Sequence, residues 1–538
     1  MSKIKSPKKL IEVALPLDDI NAACAHEKQP GIGAHPRGLH LWWARRPLPA
    51  ARAVIFSQMV NDPSETVSGD KRLRETQLKI QTEREKLFDI IRDLVKWENT
   101  NNESVLRKAR KAIQDSWRFT CELNKNHPNA KELFNPEILP GFHDPFAGGG
   151  AIPLEGQRLG LESYATDLNP IPLVINKAMI EVPCIFNGKP PIGPVPKERK
   201  QSKCFDDWSG SKGLAEDVLR YGSVVLDRVK ENIGNLYPEH KISEDEIKRR
   251  PDLIQYTEKS LKVLTWIWVR TVNSPSPAHS SKKVPLCTTF ILSSKKGKEA
   301  FVEPIIEEDE IRFIVRTGEI PASAKKGTKT ARGANFTCLY SGAPISPSHI
   351  KEESKAGRLG ATIIGVVCEA KRGKLYTSPT KEMVDLVESC VPSWKPDINI
   401  SGTSQYLGCK PYGLEKFSDL FNKRQLVALE EFVTQVNLVK KVIFDDAVAK
   451  GMPADSNGLN DGGSGAKAYS EAVALYLSLA IDRLADYNSA VATWKPSGEQ
   501  VMQTFKRQAI QMTWDFPCLL YTSPSPRDQR GSRMPSSA

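Results

Sequence analysis

The stretch His143–Pro170, HDPFAGGGAIPLEGQRLGLESYATDLNP, decides how this chain is read. Three consecutive glycines, Gly148–Gly150, stand behind Asp144, and a second aspartate, Asp167, follows seventeen residues after the last of them. The pattern reads as strand, glycine turn, helix and strand. Glycines after a strand let the backbone approach a ligand where side chains would clash. An acidic residue at the end of the next strand can accept hydrogen bonds from both hydroxyls of a ribose. The spacing is not GxGxxG, which makes a dinucleotide a second choice, and not GxxxxGK[ST], which excludes a P-loop. A bare triple glycine also suits a ligand-free turn in a βαβ unit. The paired aspartate is what favours a nucleoside.

Working outward, IPLVINKAMIEVP (residues 171–183) reads as a second helix leading into a strand, and the Pro/Lys-rich NGKPPIGPVPKERK closes the unit. The cofactor-binding half therefore spans residues 136–185. Residues 1–62 hold a Pro/Gly-rich segment and the helix PAARAVIFSQMV, with proline at its start. Residues 63–135 form a helical region, in which Leu87, Ile90, Ile91, Leu94 and Val95, then Val105, Ala109, Ile113 and Trp117, recur at helical spacing. Downstream, residues 186–284 read as a helical insertion, with 205–270 mostly helix. Residues 285–380 read as a β-rich module, with strands in PLCTTFILS, EAFVEPII, IRFIVRTG and GATIIGVVCEA. Helix returns over 381–462, DSNGLNDGGSGAK reads as a flexible loop, and residues 463–517 carry a buried helix back to the first unit.

At 538 residues the chain is long enough for several domains. No apolar run approaches ~20 residues, so no membrane span is expected. The basic N-terminus has a short apolar stretch broken by Glu12 and does not read as a signal peptide. Ten scattered cysteines fit reduced thiols in a cytoplasm. The net charge of +12 invites a nucleic-acid partner.

The end, CLLYTSPSPRDQRGSRMPSSA (residues 518–538), has neither helical nor strand periodicity. It resembles the in-frame translation of a transposase-based sequencing adapter, and is set aside from the fold. That resemblance implies that the natural reading frame is interrupted near Pro517 and that the chain is an N-terminal fragment.

DPFAGGG, Asp144–Gly150, resembles the first motif of the S-adenosylmethionine-dependent amino-methyltransferases, and ATDLNP, Ala165–Pro170, their second. KKLIEVALPL, HPRGLHLWWARRPL and DLFNKRQLVAL are similar to segments of a prokaryotic family of adenine-specific DNA methylases with an uncharacterised N-terminal domain and a zinc-ribbon insertion. The likeness extends over residues 8–517. It implies an incomplete Rossmann-like methyltransferase sheet within an α/β chain that has a helical N-terminal region and a β-rich inserted module. It also implies S-adenosylmethionine as cofactor, double-stranded DNA as partner, and other subunits of a restriction-modification or phage-defence system. By the same resemblance Asp144, Pro145, Phe146, Ala147 and Gly148–Gly150 lie by the methionine part of the cofactor, Asp167 holds the ribose, and Asn169 shapes the turn after the strand.

Methylating an exocyclic amine needs a [DNS]PP[YFW] loop in this family, whose polar groups accept from the amine while its aromatic residue stacks on a flipped base. The one Pro-Pro pair, Pro190-Pro191, has neither the polar residue nor the aromatic. No catalytic residue is therefore assigned, and the chain by itself is expected to be inactive. Relatives carry two cysteine pairs in the β-rich module, where this chain has Ser274 with His279 and Cys338 with Ser341. A structural zinc needs four thiolate or imidazole ligands, so no zinc is expected. For nucleic acid, Arg45 and Arg46 in HLWWARRP and the turn lysines Lys295, Lys296, Lys325 and Lys326 are candidate phosphate contacts. The other reading of HLWWARRP makes Trp42 and Trp43 core anchors and pairs the arginines with carboxylates.

The expected function is thus part of a DNA adenine-N6 methyltransferase. An RNA or cytosine-N4 target, and a non-catalytic DNA-binding subunit of a defence complex, remain as alternatives.

Overall fold

The computed structural model describes residues 4–519 apart from 30, 31, 34, 196–206, 372, 404, 507 and 508; residues 520–538 of the adapter-like tail lie outside the described residues. The chain is mixed α/β, with a helical N-terminal region and several small sheets. It divides into two compact units, one of residues 1–220 and 443–476, the other of residues 221–442 and 477–524.

The first unit opens with α1 (Leu17–Glu27), α2 (Leu48–Met59), α3 (Arg74–Val95), α4 (Glu103–Leu123) and the one-turn α5 (Ala130–Leu133). Pro49 sits in the first turn of α2, where a missing N–H costs nothing. Asn102 starts α4 by accepting from the Ser104 N–H. The apolar stripes expected on α3 and α4 meet here: Ile91, Leu94, Val95, Val105, Ala109 and Ile113 pack with Ile55 and Phe56 of α2. Next come β1 (Phe142–Asp144), α6 (Ala151–Arg158) and β2 (Ser163–Ala165). β1 and β2 are parallel, with Phe142 opposite Ser163 and Asp144 opposite Ala165. Their sheet has two strands.

α7 (Pro170–Asn176) passes through a wide π turn at Lys177–Glu181 into α8 (Val182–Ile185). Among the described residues, no strand forms after this helix before residue 195. Pro183 falls in the first turn of α8 directly after the π turn, where its missing N–H and its ring are tolerated.

The second unit takes the end of α9 (Lys212–Ile233), then β3 (His240–Lys241), α10 (Glu244–Arg249), β4 (Ser260–Leu261), β5 (Val263–Asn273), β6 (Lys283–Leu286) and β7 (Ile291–Ser293). After these come β8 (Ala300–Glu307), β9 (Glu310–Thr317), α11 (Ala322–Lys326), β10 (Phe336–Thr337), β11 (Pro344–Ile345), α12 (Pro347–Lys355), β12 (Gly360–Ala370), β13 (Gly373–Thr377) and α13 (Lys381–Ser389). The helices α14 (Lys423–Ala449) and α15 (Ala466–Tyr487) and the strands β14 (Thr493–Lys495), β15 (Gln500–Met502) and β16 (Asp515–Leu519) complete the chain.

β5 is the central strand. β12 pairs antiparallel along one edge, while β16 and β6 share the other. The expectation of helix through 205–270, and of a module beginning at 285, is corrected here. VLTWIWVRTVN is almost wholly buried, so it lacks the alternation that marks a strand with one wet face. Ile267 and Val269 pack with Phe290, Leu292 and Val302. Trp266 lies against Tyr237 and the Arg424 guanidinium, and Trp268 stacks on Phe516.

Two expectations for the chain end also change. Residues 477–517 return through β14–β16 to the second unit. Cys518 and Leu519, set aside as tail, extend β16 opposite Trp266 and Thr265; a ladder is made by backbone groups and accepts any side chain the space allows. In the first unit, the loop Asp455–Lys467 is pinned rather than free. Glu471 accepts the Leu459 N–H, and side chains at Gly458 or Gly463 would strike neighbouring atoms.

Candidate functional site

β1 ends at Asp144, whose Oδ1 accepts the Phe146 N–H at 3.0 Å and turns the chain. Backbone pairing continues one step past the strands: Thr166 N–H donates to Asp144 and Ala147 N–H to Thr166. This delivers Asp167 to the glycine turn. Its Oδ2 accepts the Gly148 N–H at 3.0 Å and its Oδ1 the Asn169 N–H at 2.9 Å. Asn169 in turn caps α7 by accepting from Ile171. Asp144, Phe146, Ala147, Gly148, Asp167 and Asn169 thus form one connected rim, with Pro145 exposed beside it. Phe146 is 84% exposed and Leu168 fully so, leaving two large apolar side chains in solvent next to two carboxylates.

Each glycine of the turn also has a close protein neighbour, and those of Gly148 and Gly150 leave no room for a side chain. A Cβ on Gly148, where φ is +50°, would lie 2.9 Å from the Trp42 indole nitrogen, and one on Gly149 would lie 3.2 Å from Trp42 Cβ. At Gly150, φ +74°, it would meet Asn176 Oδ1 at 2.6 Å and Met179 Cε at 2.7 Å. Asn176 is buried and donates to the carbonyls of Gly148 and Pro172. Packing alone therefore explains the glycines, and the ligand reading rests on the aspartates and the exposed apolar pair.

The turn is clamped from the N-terminal helices. Arg52 of α2 donates to Glu155 of α6 at 2.6 Å, both side chains being wholly buried. Arg52 also reaches the Leu94 carbonyl and Thr100, and Arg158 takes the other Glu155 oxygen.

Arg45 and Arg46 are exposed, and neither forms an ion pair with a described residue, so the pairing with carboxylates is not seen. The core-anchor reading fails for Trp43, which is exposed, and holds in part for Trp42, half-buried on the glycine turn. Lys296, Lys325 and Lys326 are exposed; Lys295 is paired with Glu499 at 3.4 Å. Leu168 and Asn176 were not singled out from the sequence, and Trp42 was weighed as a core anchor rather than as a neighbour of the glycine turn. The tandem tryptophans were visible in the sequence, but what they face was not.

The four positions weighed as zinc ligands, Ser274, His279, Cys338 and Ser341, converge in part. Ser274 Oγ lies 3.2 Å from Cys338 Sγ, and His279 stacks on Tyr340. Burial pushes the Cys338 thiol up, but hydrogen bonds from Ser274, Ser341 and two backbone N–H groups outweigh it and hold it below the ordinary thiol value. Among the described residues no group of three or more His, Cys, Asp or Glu side chains is gathered as a metal site. Pro190-Pro191 leads into a loop closed by buried Asp217, which accepts from the Ile192 and Gly193 N–H groups and the Tyr469 hydroxyl. Burial raises that carboxyl despite these donors.

A family model described as a protein of unknown function (DUF1156) matches residues 14–90. No curated protein and no solved structure matches the chain.

Proposed function

We propose that this chain is the cofactor-holding part of an S-adenosylmethionine-dependent DNA adenine-N6 methyltransferase of a restriction or phage-defence system, and that β1 and β2 belong to a Rossmann-like sheet. The observation that carries the reading is Asp167, two residues past β2, bound to the Gly148 N–H of the turn that follows parallel β1. Each Asp167 oxygen accepts one backbone N–H and keeps a lone pair for a ribose hydroxyl. Phe146 and Leu168 offer apolar surface for an adenine ring, and Asp144 with the Ala147–Gly150 backbone would hold the amino-acid end. The residues present therefore fit the cofactor. When bound, it supplies an electrophilic methyl group on a sulfonium. What this chain contributes is binding and orientation.

It holds no [DNS]PP[YFW] loop to accept from an adenine amine, so transfer requires a polypeptide that does. Purified chain incubated with double-stranded DNA and labelled cofactor is expected to bind the cofactor and transfer no methyl group; methyl transfer by this chain alone would overturn the reading. The missing loop also favours a second reading, a non-catalytic DNA-binding subunit. Sequencing the genomic locus beyond the codon for Pro517 separates them: the loop in frame there supports the enzyme, its absence the subunit.

A further inference from the structure

We infer that the segment of unknown function, residues 14–90, is a wall and clamp of the glycine-turn site, with Trp42 as its ligand-contacting residue. The inference rests on the proposed cofactor reading. Two independent contacts carry it, and both begin within residues 14–90. The first is Trp42, whose pyrrole edge borders Gly148 so closely that a side chain there would clash, and whose Cβ lies in tight contact with Gly149. A ligand seated on the Trp42 side of that turn would touch the indole. The second is the Arg52–Glu155 pair, which fixes α6 immediately after the turn to α2.

These contacts have different consequences. The wholly buried Arg52–Glu155 pair is out of a ligand's reach, so it sets where the turn stands. Trp42 is half-buried, with Trp43, Arg45 and Arg46 exposed beside it, so its ring is within reach of solvent and of anything on the turn. Beyond Phe146 and Leu168, then, the site has a third apolar element, supplied from the N-terminal segment. Packing and ligand contact make separable predictions for it. If Trp42 only packs, its replacement changes stability and leaves ligand affinity alone.

The test uses the full chain labelled with 5-fluorotryptophan, titrated with S-adenosylhomocysteine and followed by fluorine NMR and calorimetry. Trp42→Phe assigns the Trp42 resonance among the ten tryptophans. The resonance is expected to shift in step with the calorimetric binding curve. Trp42→Ala is expected to weaken binding about tenfold and Trp42→Phe, which keeps an aromatic wall, about threefold or less. Saturable binding that leaves the Trp42 resonance in place overturns this inference while the cofactor reading survives. A chain that binds no S-adenosylhomocysteine overturns both. Should Trp42→Ala fail to fold, the wild-type resonance decides the matter alone.

Discussion

Gly150 shows what a single residue contributes at the turn. Its φ is +74° and its Cα faces the buried Asn176 amide, itself held by two backbone carbonyls. Gly150→Ala brings both backbone strain and a clash, and is expected to cost about 1–3 kcal/mol in urea unfolding. His240 makes a pH prediction of known sign. Burial pushes its imidazole down to about 4 from 6.5. Between those values the unfolded chain binds a proton that the folded chain refuses, so stability falls as pH drops from 6.5 towards 4, by about 1.4 kcal/mol per unit. Asp515, pushed up to about 6 by burial, acts in the opposite sense: its folded form holds the proton longer, and stability falls as pH rises towards 6. The difference between wild type and His240→Phe, measured by denaturation across pH 4–7, isolates the histidine. At this scale much of the rim was legible in the sequence. Asp144, Asp167 and Asn169 are each tied to the residue two places on, and such local geometry is written in local sequence. Trp42 and Leu168 were not, because their roles depend on what lies across the turn or in solvent.

Between elements, the contact that most defines the site is α2 against α6. Arg52 and Glu155 are removed from water together, so truncating one leaves the other charge buried and unpaired. Arg52→Ala is expected to destabilise by about 3–5 kcal/mol, read as a lowered urea midpoint of the first transition to appear. An Arg52→Met, Glu155→Met pair is expected to recover much of that loss, since a well-packed apolar pair can replace a buried ion pair. Elements with one wet face were the ones readable from periodicity, as on α3 and α4. β5 was not, because burial on both faces erases alternation and leaves an apolar run that suits helix or strand. Its β-branched and aromatic content, Val, Thr, Ile and two tryptophans, was the signal that favoured a strand. β16 was illegible for a different reason: it pairs with a strand some 250 residues earlier, and no local pattern records that.

For the whole molecule, the division into two units assigns the chemistry and the bulk differently. The glycine turn, both aspartates and the N-terminal clamp lie in residues 1–220, while the β-rich sheets and the turn lysines lie in the second unit. If the second unit contacts DNA through Lys296, Lys325 and Lys326, replacing the three by Ala weakens binding to any duplex sequence and lowers the salt dependence by about three phosphate contacts. Unchanged salt dependence in a filter-binding or anisotropy series would remove those lysines from the interface. The most direct measurement concerns the first unit. Calorimetric titration of the full chain with S-adenosylhomocysteine is expected to show one site, weakened at least about tenfold by Asp167→Ala, whose carboxylate would hold the ribose. No binding, or equal affinity in the Asp167→Ala chain, would contradict the proposal that the turn between β1 and α6 is a methyl-donor site.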